Sequence, residues 1–139
     1  MALIGGGGAG GAGNTAGSNP TGTSTNLNYV GNHAYAYSGD VSIDSSLVTM
    51  LEFDTAERYI VGSYQIHGLF AQIGANQIQI EVVMNGESVT HTFWDSGNDN
   101  LNALENNILL PPFTKISFQL AQASGTPRNM QLTLLGRVY

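Results

Sequence analysis

Gln77-Ile78-Gln79-Ile80-Glu81-Val82-Val83-Met84-Asn85-Gly86-Glu87-Ser88-Val89-Thr90-His91-Thr92-Phe93-Trp94 is a pair of alternating runs around an Asn-Gly step. Alternation of polar and apolar residues puts one class on each face of an extended strand. Asn-Gly between two such runs signals a hairpin, because a type I′ turn needs positive φ at both central residues. Residues 77–94 therefore read as one antiparallel hairpin. A lone hairpin is marginal in water, so further strands must cover its apolar face.

The same period recurs on both sides. Before the hairpin, 33–37 alternates with Tyr35 and Tyr37 on one face, and Ser38-Gly39-Asp40 is a turn signal. Val41 and Ile43 pair up next. Thr49, Leu51 and Phe53 share a face within 47–54. Residues 59–70 place Ile60, Tyr64 and Ile66 on one side and Val61, Ser63 and Gln65 on the other. Gly62 and Gly68 inside that run point to a bulge or a close backbone approach. After the hairpin, 95–107 reads as polar and irregular with a short helical turn over 101–105. Pro111-Pro112 then blocks helix. Residues 115–121 form a strand with Ile116, Phe118 and Leu120 inward, and 130–134 closes the chain.

About eight strands and no amphipathic helix predict an all-β fold. The expected architecture is an antiparallel β-sandwich, a jelly roll of about eight strands, with another Greek-key sandwich compatible with the same pattern. Phe118 and Leu51 are expected in its core.

The domain expected to carry those strands is 27–139, preceded by an extended arm, 1–26. The first 39 residues contain no charged side chain, and 11 of the 18 glycines lie there. The segment Gly5-Gly6-Gly7-Gly8-Ala9-Gly10-Gly11-Ala12-Gly13 has almost nothing to bury, so alone it is expected to be disordered. Fully extended, 26 residues reach about 85 Å. Ala2, Leu3 and Ile4 form a short apolar tip, and with Gly5, Gly6, Gly7 and Gly8 they are the expected partner-binding residues.

Composition limits the function classes. The 139 residues suit one domain, and the absence of cysteine removes disulfides and thiolate metal sites. Four basic residues against a net charge of -6 leave no clustered Lys and Arg for counterion displacement, so nucleic acid is not an expected partner. No apolar run approaches the ~20 residues of a membrane span, and no membrane partner is expected. The N-terminus lacks a signal-peptide pattern, so synthesis in the cytoplasm is expected. Only 10% of residues are charged, against about 25% in ordinary domains. Uncharged polar faces are cheaper to desolvate against a neighbouring subunit.

No arrangement carries catalysis. His33, His67 and His91 fall on three separate strands without zinc-ligand spacing. Asp95-Ser96-Gly97-Asn98-Asp99-Asn100 resembles a calcium loop in composition, but its Gly is third rather than sixth. Glu52, Asp54 and Glu57 read as an exposed polar edge rather than a glycosidase pair. There is no nucleophile elbow and no P-loop. Neither an enzyme nor a cofactor is expected. Trp94 with Tyr29, Tyr35, Tyr37 and Tyr64 is a candidate sugar platform.

The stretches Leu27-Asn28-Tyr29-Val30-Gly31-Asn32-His33-Ala34-Tyr35-Ala36-Tyr37-Ser38-Gly39 and Leu109-Leu110-Pro111-Pro112-Phe113-Thr114-Lys115 resemble jelly-roll head decoration, or cement, proteins of tailed bacteriophages. The resemblance implies a homotrimer on the outer surface of a virion capsid, bound to a separate major capsid protein, with no catalytic residues. Two alternatives come from other classes. One is a carbohydrate-binding or receptor-binding β-sandwich module of a virion. The other is a major jelly-roll coat subunit. Such subunits commonly neutralise packaged genome with a basic arm, which this arm of neutral residues does not provide.

Overall fold

The computed structural model describes residues 27–68, 77–95, 103–123 and 126–139. They form ten strands: β1 (Asn28–Val30), β2 (His33–Tyr37), β3 (Val41–Ile43), β4 (Val48–Asp54), β5 (Ile60–Gly68), β6 (Gln77–Met84), β7 (Glu87–Asp95), β8 (Ala103–Leu110), β9 (Lys115–Gln122) and β10 (Arg128–Val138). One sheet runs β1-β2-β10-β5-β8, with β3 also paired to β10, and the other runs β4-β9-β6-β7. Every pairing is antiparallel.

Since β2 and β3 both pair with β10, they act as one strand interrupted at residues 38–40. The connectivity is then that of a single long hairpin rolled up. Its tip is the β6–β7 turn, and its successive rungs are β5 with β8, β4 with β9, and β2 and β3 with β10. Rolling brings β10 beside β5 and β9 beside β6. This is the jelly roll expected from the sequence.

The tip has the geometry its residues require. Asn85 and Gly86 have φ of 51° and 88°, both in the left-handed region that Asn and Gly tolerate. The turn is also fastened sideways: the Asn85 amide donates to the Lys115 carbonyl at 2.8 Å, and the Asn85 side-chain oxygen accepts from the Lys115 amide at 2.9 Å.

Inward residues follow period two. Ile60, Tyr64 and Ile66 of β5 face Ile78, Ile80 and Val82 of β6 and Ile116, Phe118 and Leu120 of β9 in one buried cluster. Phe118 joins the layers: its ring lies 5.1 Å from Tyr64 in the opposite sheet and 6.3 Å from Phe53 in its own. Both Phe118 and Leu51 are fully buried.

Three readings change. The expected helical turn over 101–105 gives way to strand in its described part, 103–105. Residues 103–105 begin β8, held by pairing to β5 from His67↔Ala103 to Ile60↔Leu110. That partner supplies the hydrogen bonds that the polar run Glu105-Asn106-Asn107 gives no hint of. In β4 the pairing shifts between Thr49 and Leu51, so Met50 and Leu51 are both buried, and Thr49 does not share the face of Leu51. The bulge inserts one residue and resets the alternation. The closing strand is also longer than 130–134. The expected arm, 1–26, lies outside the described residues.

Truncating Phe118 to Ala is expected to cost about 3–5 kcal/mol, from lost transfer energy plus a cavity between the sheets. Urea unfolding of both forms checks this, and a loss below about 1 kcal/mol would contradict its place in the core.

Candidate interaction surface

The two outer faces of the sandwich differ in chemistry. On the four-stranded sheet, Asp54 sits opposite Lys115, Glu52 opposite Ser117, and Glu81 lies between Gln119 and His91. The Lys115 ammonium meets a Glu52 carboxylate oxygen at 3.1 Å, an exposed pair worth little to stability. Charges and amides dominate this face.

The six-stranded sheet reads differently. Its outward positions form rows across β2, β10, β5 and β8. One row is Tyr35, Leu135, Ser63 and Asn107, and the next is His33, Arg137, Val61 and Leu109. A third, Tyr37, Thr133, Gln65 and Glu105, is closed by a 2.9 Å hydrogen bond from the Gln65 amide to Glu105. Tyr37, Val61, Leu109 and Leu135 are each about half exposed. The Tyr35 and Tyr37 rings lie 5.4 Å apart. On the inner side of β2, Ala34 and Ala36 are buried, so the small residues face the core and the aromatic ones face outward.

A groove of about 590 Å³ runs over this face, lined by β2, β10, β5 and Asn107 of β8. Its lining contains Gly62 and Gly136, which stand opposite each other. A β-carbon on Gly62 would fall against the Leu135 carbonyl oxygen and 2.5 Å from the Gly136 Cα. This is the close backbone approach that the glycine in the run suggested. Gly68 instead lies against the Met130 thioether. Among the described residues no Asp, Glu, Lys or Arg lines the groove, while Arg137 and Glu105 stand in the rows that flank it.

At one end of the sandwich, 55–59 holds two further apolar side chains outward. The Phe113 amide donates to the Ala56 carbonyl and the Tyr139 amide to the Tyr59 carbonyl, both at 2.9 Å. Phe113 has φ of 52°, an unfavourable conformation for a bulky residue, and its side chain is 77% exposed. Buried Thr55 and Thr114 fix the turn. The Thr55 hydroxyl donates to Pro111 O at 2.6 Å and accepts from the Thr114 amide at 2.9 Å. The Thr114 hydroxyl donates to Pro112 O at 2.9 Å.

The residues singled out in the sequence are mostly kept apart. His33, His67 and His91 lie on β2, β5 and β7. Among the described residues no group of three His, Asp or Glu side chains could hold a metal ion. Residues 96–100 of the acidic loop lie outside the described residues. So do Ala2, Leu3, Ile4, Gly5, Gly6, Gly7 and Gly8 of the arm. The aromatic set does not converge: Tyr64 is in the core against Phe118, whereas Tyr35 and Tyr37 face outward. The groove itself carries no sequence motif. Its signal is aromatic residues alternating with alanine, and a glycine in each of two strands.

No protein-family model and no curated protein matches the sequence. The structure is similar to chains from particles of infectious bursal disease virus. These include a VP2 subviral particle (TM-score 0.46, 11% identity, 90% of this chain and 37% of that one). They also include the Gx strain (TM-score 0.44, 13% identity, 77% and 37%) and derived T=1 particles (TM-score 0.41, 13% identity, 90% and 40%). The chain thus spans about two fifths of the length of the chains it matches. These are subunits of virus particles and not tailed-phage decoration or cement proteins. The expected family is corrected accordingly, and so is the expected attachment to a separate major capsid protein.

Burial raises the Tyr64 hydroxyl above its ordinary pKa of 10.0. Burial also raises Tyr29, with a hydrogen bond to the Ala56 backbone acting in the opposite direction. In the unfolded chain Tyr64 ionises near 10, while in the fold it stays neutral to higher pH. Its contribution is complete below about pH 10 and is lost as the pH rises above that value. Tyr64→Phe is expected to lose less stability than the parent between about pH 9 and about pH 11. Chemical unfolding across that range checks it, and parallel pH profiles would contradict it.

Proposed function

We propose that this chain is a major jelly-roll coat subunit, a structural protein that assembles with copies of itself into the shell of a virion. The observation carrying the reading is the difference between its two outer faces. One is charged and suits solvent. The other exposes Tyr37, Val61, Leu109 and Leu135 around a groove with no charged residue in its described lining, with Arg137 and Glu105 in the flanking rows. Exposed apolar side chains gathered on one sheet face support an interaction site there. A rigid sandwich built on nested strand pairs can present it without rearrangement.

The role is structural rather than enzymatic. The subunit is made in the host cytoplasm and ends in the virion shell. Residues 1–26 serve as a partner-binding arm, with Ala2, Leu3 and Ile4 as its anchor and Gly5, Gly6, Gly7 and Gly8 as a backbone able to lie close to a neighbour. An arm without Lys or Arg cannot neutralise packaged genome. That removes a nucleic-acid role for the arm and leaves a protein-binding one.

Self-assembly tests the reading. The purified chain is followed by sedimentation velocity and electron microscopy as its concentration and the ammonium sulfate concentration rise. Discrete oligomers or closed shells favoured by sulfate are expected, because excluded salts strengthen apolar burial. A monomer under all conditions would contradict the proposal.

A further inference from the structure

The tip of the β6–β7 hairpin holds two groups that react with each other when the tip is free. We propose that Asn85 is a latent self-modification site. Its side-chain amide stays intact while the tip is fastened to β9. It converts to aspartate or isoaspartate through a cyclic imide once the tip comes away.

The reactants are adjacent in the backbone. Asn85-Gly86 is the one Asn-Gly step in the sequence, and both residues are exposed. The Gly86 nitrogen gives its proton to solvent and bonds to Asn85 Cγ. The bond from Cγ to the side-chain nitrogen breaks, and ammonia leaves. Water then adds to one of the two imide carbonyls and opens the ring. Opening on one side gives aspartate, and opening on the other gives isoaspartate. Nothing is oxidised or reduced, and solvent water is the only co-reactant. Enforced proximity favours such an intramolecular attack. A side chain on the second residue would crowd the attacking nitrogen. Gly86 has none, and a β-carbon placed there would meet nothing within 4 Å.

The fastening to β9 holds the reaction back. The Asn85 side-chain oxygen accepts from the Lys115 amide at 2.9 Å, and the Asn85 amide donates to the Lys115 carbonyl at 2.8 Å. Ring closure swings the side chain onto the following main-chain nitrogen, so the first contact must be given up. It also changes the backbone torsion between Asn85 and Gly86. The second contact and the flanking pair Met84↔Glu87 resist that change. The φ of 51° at Asn85 belongs to the compact turn that this hairpin demands. Conversion therefore draws on the small population in which the tip has opened locally. Two ordinary hydrogen bonds make that population rarer by about tenfold.

The products differ in what they leave behind. Aspartate keeps an acceptor oxygen for the Lys115 amide, and its charge strengthens that bond. Isoaspartate adds a carbon to the main chain, so the turn no longer matches the twist of β6 and β7. Because the ammonia is lost to solvent, the change does not reverse. The tip thus keeps a record of having opened.

The full-length chain and a peptide of residues 82–90 are incubated side by side at mildly alkaline pH. Mass spectrometry of digests follows the exchange of amide for acid at residue 85. The peptide is expected to convert about tenfold faster than the folded chain. Two variants locate the latch. Lys115→Pro removes the donating N–H and keeps the carbonyl, at the first residue of β9, a position where proline is tolerated. Lys115→Ala loses the same ammonium and its Glu52 pair but keeps the N–H. Lys115→Pro is expected to convert several-fold faster than Lys115→Ala, which keeps the parent rate. Unfolding curves establish that both are folded; if Lys115→Pro is not, the comparison of parent with peptide decides alone. Equal rates in parent and peptide would overturn protection by the fold. Equal rates in the two folded variants would overturn the Lys115 latch. An inert peptide would overturn the site itself.

Discussion

Gly62 and Gly136 are the constraint around which the sandwich closes. They meet where β10, the last strand, lies against β5. This pairing joins the rolled-up ends of the long hairpin to its middle. A side chain on Gly62 would collide with the Leu135 carbonyl and the Gly136 backbone, and one on Gly136 with the Ile60 side chain at 2.5 Å. These contacts involve backbone or a packed core residue, so neither neighbour can move aside without disturbing the sheet. Leu135, Tyr35 and Val61 then stand as outward walls beside the bare backbone of the two glycines. The two glycines share the inward parity of Ile60, Tyr64, Leu132 and Leu134, so the requirement belongs to closure of the core.

Much of this could be read from residues 77–94. The Asn85-Gly86 turn fixes the hairpin tip, and the alternation in β5, β6 and β9 fixes which residues enter the core. Strand β8 was illegible because it is an edge strand. Glu105 and Asn107 point outward, so its polar composition looks like loop until β5 supplies the partner. The bulge at Met50 was illegible because an inserted residue leaves no composition signal, only a change of parity. The interrupted strand, β2 and β3, reads as two because Gly39 and Asp40 look like a hairpin turn. Its unity comes from β10, which pairs with both halves. The interaction surface was hardest to see. Tyr35 and Tyr37 alternate with Ala34 and Ala36, and only the three-dimensional sheet decides which pair faces in.

The energetics also limit how an arm can act. Ordering a residue costs about 1–2 kcal/mol of backbone entropy. Burying a Leu or Ile side chain returns about 1.5–3 kcal/mol. A Gly-rich segment returns almost nothing per residue, so the proposed partner-binding role of 1–26 depends on its few apolar side chains. The proposed coat subunit would then be held by many weak, repeated contacts, in which avidity supplies what each contact lacks. The fixed Phe113, held outward by Thr55 and Thr114, fits the same plan because a rigid aromatic loses little freedom on contact.

The central claim is that one outer face is covered in the assembly and the other stays in water. Residue-level chemical labelling of dissociated and assembled protein tests it most directly. A tyrosine reagent reports Tyr37, Tyr59 and Tyr139, and amine and imidazole reagents report Lys115 and His91. On assembly the tyrosines should lose most of their labelling, while Lys115 and His91 keep theirs. Unchanged tyrosine labelling, or protection of Lys115 and His91 instead, would contradict the account.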